Sequence, residues 1–151
     1  MKRRTRKLIY ADIADAVKCI NKGVKVKRST YKDGSIQTRS VVPVDPKPEK
    51  TVLSDCLEWL QRHRIMCNRH DSGSFENDRG QWGVYGIKGA GDIIGMVGDH
   101  GTHFEIECKH GRGGRLSPAQ QKRQADVTHA NGLYYIVHGI EELKYFMEWF
   151  I

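Results

Sequence analysis

The stretch Gly91-Asp92-Ile93-Ile94-Gly95-Met96-Val97-Gly98-Asp99-His100-Gly101-Thr102-His103-Phe104-Glu105-Ile106-Glu107-Cys108-Lys109 holds two β-rich runs around a Gly-Asp-His-Gly turn. Residues 92–97 and 102–109 read as the two strands of one hairpin. If that hairpin is centred on Asp99-His100, the numbers of facing residues sum to 199, and Asp92 lies opposite Glu107. Their Cβ atoms would then be about 4.5–5.5 Å apart on one face of a sheet. Strand alternation puts Lys109 on the same face as Glu107, while Ile106 and Cys108 point the other way, into apolar packing.

Two carboxylates so placed repel, and unless a cation intervenes they destabilise the pair or raise one pKa. Hard oxygen ligands suit Mg²⁺ or Mn²⁺, which keep waters and bind phosphate oxygens. A lysine beside such a site can orient the attacking water and stabilise negative charge at phosphorus. The chemistry implied is metal-assisted hydrolysis of a phosphodiester, and a one-residue slip of the hairpin would remove its geometric basis.

Outward from the hairpin, the pattern alternates helix and strand. Val52, Leu53, Cys56, Leu57 and Leu60 make a helical stripe over about 49–63. The polar run 68–80 reads as a loop and 81–87 as a strand. Residues 111–115 read as a glycine-rich basic loop. Ser117-Pro118 reads as an N-cap followed by proline at the first helical position, opening a helix to about 130. A strand over 133–138 and a helix over 141–150 close the chain. The order α-β-β-β-α-β-α predicts an α/β architecture, a central mixed sheet flanked by helices. Before it, 10–21 has helical periodicity with Gly23 as its cap, and Asp33-Gly34 marks a hairpin joining 24–32 to 35–42. Pro43, Pro46 and Pro48 mark a linker. The domain reading is therefore 1–47, a basic helix–hairpin accessory element with its linker, and 48–151, the catalytic domain.

Charge points to a partner. The 151 residues carry 25 Lys+Arg against 18 Asp+Glu, a net +7. Residues 1–50 hold 14 basic and 5 acidic residues, and 51–151 hold 11 and 13. A basic segment beside a slightly acidic body suggests attraction to a polyanion, with 1–42 as a DNA-clamping arm. Cys19, Cys56, Cys67 and Cys108 form no CxxC pair, a spacing that does not support a zinc site and fits a reducing compartment. His100 and His103 straddle a turn without convincing partners and do not make a zinc site. No apolar run reaches the roughly 18 residues of a membrane span, and no signal sequence is legible, so the expectation is an intracellular chain without membrane contact.

Three motifs in order, Gly86-Ile87-Lys88-Gly89-Ala90-Gly91-Asp92-Ile93-Ile94-Gly95, then Glu107-Cys108-Lys109, then Gly113-Gly114-Arg115-Leu116-Ser117-Pro118-Ala119-Gln120, resemble the virus-type replication-repair nuclease (VRR-NUC) domain of the PD-(D/E)XK nuclease superfamily. The likeness runs from about Glu49 to the C-terminus. It implies a restriction-endonuclease-like core, with Asp92 and Glu107 as metal ligands and Lys109 as the catalytic lysine. Gln120 matches the family's helix glutamine that positions the site, and Glu49 matches an acidic residue offering a further metal contact. The Cys108 backbone carbonyl completes the expected ligand set. Arg69-His70-Asp71-Ser72-Gly73 resembles a family loop that usually reads Arg-Asn-Asn-Ser/Thr-Gly, with His70 and Asp71 here replacing amides.

Arg69, Lys88, Arg112, Arg115, Lys122 and Arg123 surround this centre in sequence and are the candidate contacts to DNA phosphates. By resemblance to stand-alone viral members, the expected substrate is branched DNA such as a Holliday junction, cut by a homodimer in the cytoplasm of a bacterial host. Two symmetric nicks need two active sites, and one short chain has one. The apolar ending Trp149-Phe150-Ile151 is the expected contact to a second subunit. The competing readings are a nuclease of the same core acting on linear duplex ends or RNA, and a non-catalytic basic DNA-binding module. The second has no need of opposed carboxylates.

Overall fold

Residues 17, 18, 20–23 and 30–151 are described by the computed structural model. The chain forms two compact units, Met1–Thr30 and Tyr31–Ile151. Of the first, residues 17, 18, 20 and 21 are helical, and Gly23 adopts φ +64° at the end, as the expected cap requires. The rest of the 10–21 helix and most of the 24–32 arm lie outside the described residues.

The second unit is built on a four-stranded sheet. Its elements are β1 (Ile36–Thr38), α1 (Glu49–Arg62), β2 (Met66–Arg69), β3 (Gly73–Glu76), β4 (Trp82–Tyr85), β5 (Ile93–Val97), β6 (Thr102–Cys108), β7 (Gly114–Leu116), α2 (Pro118–His129), β8 (Leu133–Val137) and α3 (Ile140–Met147). A short 3-10 turn over Glu148–Phe150 ends it, where a continuous helix was expected. The central order is β2-β5-β6-β8, with β6 and β8 parallel and the other neighbours antiparallel. This is a mixed sheet flanked by helices, the α/β class read from the sequence.

The β5–β6 register follows the expected sum: Ile93 faces Ile106, Gly95 faces Phe104 and Val97 faces Thr102. Ile93, Val97, Phe104, Ile106 and Cys108 thus point to one face. There they meet Val52, Cys56 and Leu60 of α1 and Leu143 and Met147 of α3 in the hydrophobic core. The other face of β6 carries His103, Glu105, Glu107 and Lys109, and α2 lies over it through Gln120 and Arg123. Burying apolar surface on the first face is what holds the polar face rigid.

Three short strands depart from the sequence reading. The run 68–80 is not a loop throughout: Met66–Arg69 pairs with β5, and Gly73–Glu76 pairs with β4 across a turn closed by Asn77 and Gly80. Residues 114–116 are not free loop either, because β7 pairs with β1, Ile36 facing Leu116. That pairing also moves the domain boundary, since 31–47 belongs with the body rather than the accessory element. Gly111 N–H donates to the Lys47 carbonyl at 3.0 Å. The buried His138 ring joins Thr38 Oγ1 at 2.9 Å and Glu142 Oε2 at 2.8 Å. The proline-rich segment therefore runs along the body and is anchored at both ends. No helix among the described residues is long and apolar enough to cross a membrane.

Candidate active site

Asp92 stands immediately before β5, and Glu107 and Lys109 lie at and just beyond the end of β6. The sheet register brings them to one face. Asp92 Oδ2 accepts the Cys108 N–H at 2.8 Å, which fixes that carboxylate beside Glu107. Glu107 is buried, and its Oε1 accepts both the Lys109 ammonium at 2.6 Å and the Gln120 amide at 2.5 Å. Lys109 is itself buried, and its N–H is anchored on the Val137 carbonyl at 2.8 Å.

Gln120 is oriented by helix capping. Ser117 Oγ accepts the Gln120 N–H, and Gln120 Oε1 accepts the Ser117 N–H at 2.9 Å, a capping box at the start of α2. With its carbonyl oxygen engaged there, the side-chain NH₂ is the half left to face Glu107. Ser117-Pro118-Ala119-Gln120 thus starts a helix and aims an amide at a carboxylate with the same residues.

The electrostatics follow from this crowding. Burial pushes the Glu107 carboxyl up to about 7, the Asp92 charge adds to the rise, and Lys109 only partly offsets them. Burial also raises Asp92, against the Cys108 N–H and the positive charges of Lys109 and Arg69. Among the described residues the second oxygen of each carboxylate, Asp92 Oδ1 and Glu107 Oε2, accepts no hydrogen bond from the chain. The donor set fits a hard divalent cation, because Mg²⁺ is commonly held by one or two carboxylates and keeps several waters. Glu49, the first residue of α1, is exposed, and its charge reaches Glu107. Among the described residues no three His, Cys, Asp or Glu side chains converge on one ion position, so Glu49 does not close a three-carboxylate cluster.

The sequence reading passed over Glu105, which lies two residues before Glu107 on the same face and is fully buried. It accepts from Gly91 N–H at 3.0 Å, from both Nε and Nη2 of Arg123, and pairs with His103 Nε2 at 3.0 Å. Gly91 has no room for a side chain, since a Cβ there would come within 2.7–2.8 Å of the Ile106 backbone. Glu105 therefore holds the residue that precedes Asp92. Tyr134 is buried, and its hydroxyl donates to the Gly89 carbonyl at 3.0 Å, in the same approach segment. The period-two spacing of Glu105 from Glu107 was the available signal.

The six candidate phosphate contacts divide. Arg69 ends β2 opposite Ile93, next to Asp92, and bonds Asp71 Oδ1 at 3.0 Å. Lys88 and Arg112 are exposed, and the Arg115 guanidinium lies 3.7 Å over the Tyr31 ring. Lys122 pairs with Asp126 on the exposed face of α2. Arg123 pairs with the buried Glu105, and its charge serves the sheet–helix contact. Trp149 and Ile151 are exposed at the C-terminus. No protein-family model, curated protein or solved structure matches this chain.

Proposed function

We propose that this protein is a metal-dependent nuclease that hydrolyses phosphodiester bonds in DNA with Asp92, Glu107, Lys109 and Gln120. The observation that carries the reading is the meeting of two carboxylates, an ammonium and an amide on one sheet face, with Glu107 and Lys109 buried and Asp92 and Gln120 half-buried. Carboxylates brought together with a raised pKa and a specific charge partner mark a functional-site candidate. Asp92, Glu107 and the Cys108 carbonyl would hold Mg²⁺ or Mn²⁺. When bound, the cation supplies Lewis-acid polarisation of the phosphoryl oxygen and a more acidic water.

The chain's own residues account for the rest. Gln120 fixes the rotamer of Glu107, so one carboxylate oxygen is spent on positioning and the other faces outward. The Lys109 ammonium, held 2.6 Å from Glu107, is the donor available to the attacking water and to the charge growing on the phosphate oxygens. Its burial strengthens both interactions relative to water.

The resemblance to the VRR-NUC domain extends the proposal to branched DNA cut by a homodimer. The test is cleavage of labelled four-way junction, nicked duplex and plain duplex with Mg²⁺ or Mn²⁺, the protein run beside Lys109→Ala and Glu107→Gln. Metal-dependent cutting lost in both variants is the expected result. Cutting that survives both removes the site, and no cutting of any DNA with tight binding retained moves the assignment to a binding module or an RNA substrate. Sedimentation of a monomer with and without junction removes the dimer.

A further inference from the structure

β3 and β4 pair only with each other among the described residues, and every residue of the hairpin except Gly83 is exposed. A lone two-stranded ribbon is marginal in water, so large rings spent on its surface call for an explanation. The register supplies one. Phe75 faces Gly83 and Gly73 faces Tyr85, so the two rings share one face of the hairpin. The distal end of each ring sits where the opposing glycine's side chain would be: a Cβ on Gly83 would lie 2.6 Å from the Phe75 ring, and one on Gly73 2.8 Å from the Tyr85 hydroxyl. Each ring is seated against the backbone and about half open, Phe75 at 50% and Tyr85 at 51% exposure.

The hairpin also grows out of the candidate active site. His70 N–H donates to the Asp92 carbonyl at 2.8 Å, and Ile87 N–H donates to His70 Nε2 at 3.1 Å, which ties both hairpin ends to the strand entry that carries Asp92. Exposed Arg69 and Lys88 at this base are complementary to a phosphate backbone. Asp71 pairs with Arg69, while Glu76, Asp78 and Arg79 gather at the far end, so the ribbon as a whole offers rings rather than net charge.

We propose that Phe75 and Tyr85 form a stacking platform for unpaired nucleotides flanking the scissile phosphate. This rests on the nuclease reading and names its substrate class as DNA with unpaired bases beside the cut. Phe75 and Tyr85 are diagonal neighbours across the two strands, a placement that sets such residues about 7–8 Å apart, roughly twice the 3.4 Å step of a stacked nucleic-acid strand. Bases that meet both rings are therefore unstacked from one another, a condition met at branches, flaps and single strands and not inside a paired duplex. Aromatic side chains accept any base on a π face, so the platform selects for exposure of the bases and not for their sequence.

The test uses the full chain in EDTA, where no cleavage competes, with 2-aminopurine placed in the unpaired arm of a splayed DNA or in a matched duplex. Expected is quenching in the unpaired arm only, abolished by Phe75→Leu with Tyr85→Leu and restored by the swaps Phe75→Tyr and Tyr85→Phe. Affinity for the splayed arm falls about tenfold or more per leucine, while duplex affinity stays within about twofold. Equal losses on both DNAs, or no quenching with the parent chain, overturn the platform. So does a leucine pair that converts a dimer to a monomer in sedimentation, which would give the face to a second copy. Cleavage with Mg²⁺ is scored separately: stacking without cleavage refutes the nuclease reading alone, and cleavage without stacking refutes the platform alone.

Discussion

Replacing Glu107 by glutamine should make the metal-free protein less sensitive to alkaline pH while abolishing its metal response. The folded carboxyl titrates near 7 against an ordinary 4.5, because it is buried beside Asp92. A carboxyl raised by folding contributes stability that is fully present below about pH 4.5 and is lost as pH rises through about 7. At about 1.4 kcal/mol per pH unit, the loss between pH 5 and pH 8 is about 2–3 kcal/mol. Glutamine mimics the protonated acid: its carbonyl still accepts from Lys109 and Gln120, and it does not ionise. In EDTA, therefore, the parent chain should lose about 2–3 kcal/mol more than Glu107→Gln over that range, roughly 5–10 °C in melting midpoint for a chain of this size. Taking the difference between two pH values cancels any packing defect that glutamine introduces. Adding Mg²⁺ at pH 8 should then raise the midpoint of the parent and leave the variant unmoved. Parallel pH profiles for the two proteins would refute the electrostatic reasoning. An equal Mg²⁺ shift in both would refute Glu107 as a ligand.

Two further perturbations probe the support of the site. Glu105→Gln keeps the shape but strips the charge that Arg123 and His103 share, and should cost about 2–4 kcal/mol at pH 7 by urea denaturation. Because these partners hold the Glu105 carboxyl low, the deficit should shrink as pH falls below about 4, and a deficit independent of pH would show that the ion pair contributes nothing. Gly91→Ala places a methyl group against the Ile106 backbone, which cannot rotate away, and should cost at least about 2 kcal/mol. A variant with unchanged urea midpoint would mean that β5 and β6 can separate freely at Asp92.

What could be read from the sequence was whatever local chemistry determines. The Gly98-Asp99-His100-Gly101 turn set the β5–β6 register, and the register put Asp92 and Glu107 on one face. Ser117-Pro118 marked the start of α2. Periodicity found α1, whose Val52, Cys56 and Leu60 are fully buried. What escaped was whatever depends on a distant partner. Met66-Cys67-Asn68-Arg69 carries no β-branched residue and becomes a strand because β5 offers its edge. Gly114-Arg115-Leu116 does so because β1 arrives from nearly 80 positions earlier. The same holds for charges. Arg123 reads as a solvated helix cation, and only the fold shows its pairing with Glu105, 18 residues upstream.

Glu105 and Glu107 occupy the same face of the same strand, two residues apart, and both are buried, yet folding drives their carboxyls in opposite directions. Burial raises each. At Glu105 a guanidinium, an imidazole and the Gly91 amide outweigh it, and the carboxylate is held charged and paired. At Glu107 one ammonium works against burial and a neighbouring carboxylate, and it does not prevail. A protein selecting for stability alone would treat both positions as it treats the first, or fill them with apolar side chains. Nor does Gln120 relieve the second: it orients the carboxyl without neutralising it. An oriented, under-compensated carboxylate beside a second one retains affinity for a cation that the chain itself does not supply. On the proposed nuclease reading, that asymmetry gives Glu105 to architecture and Glu107 to chemistry.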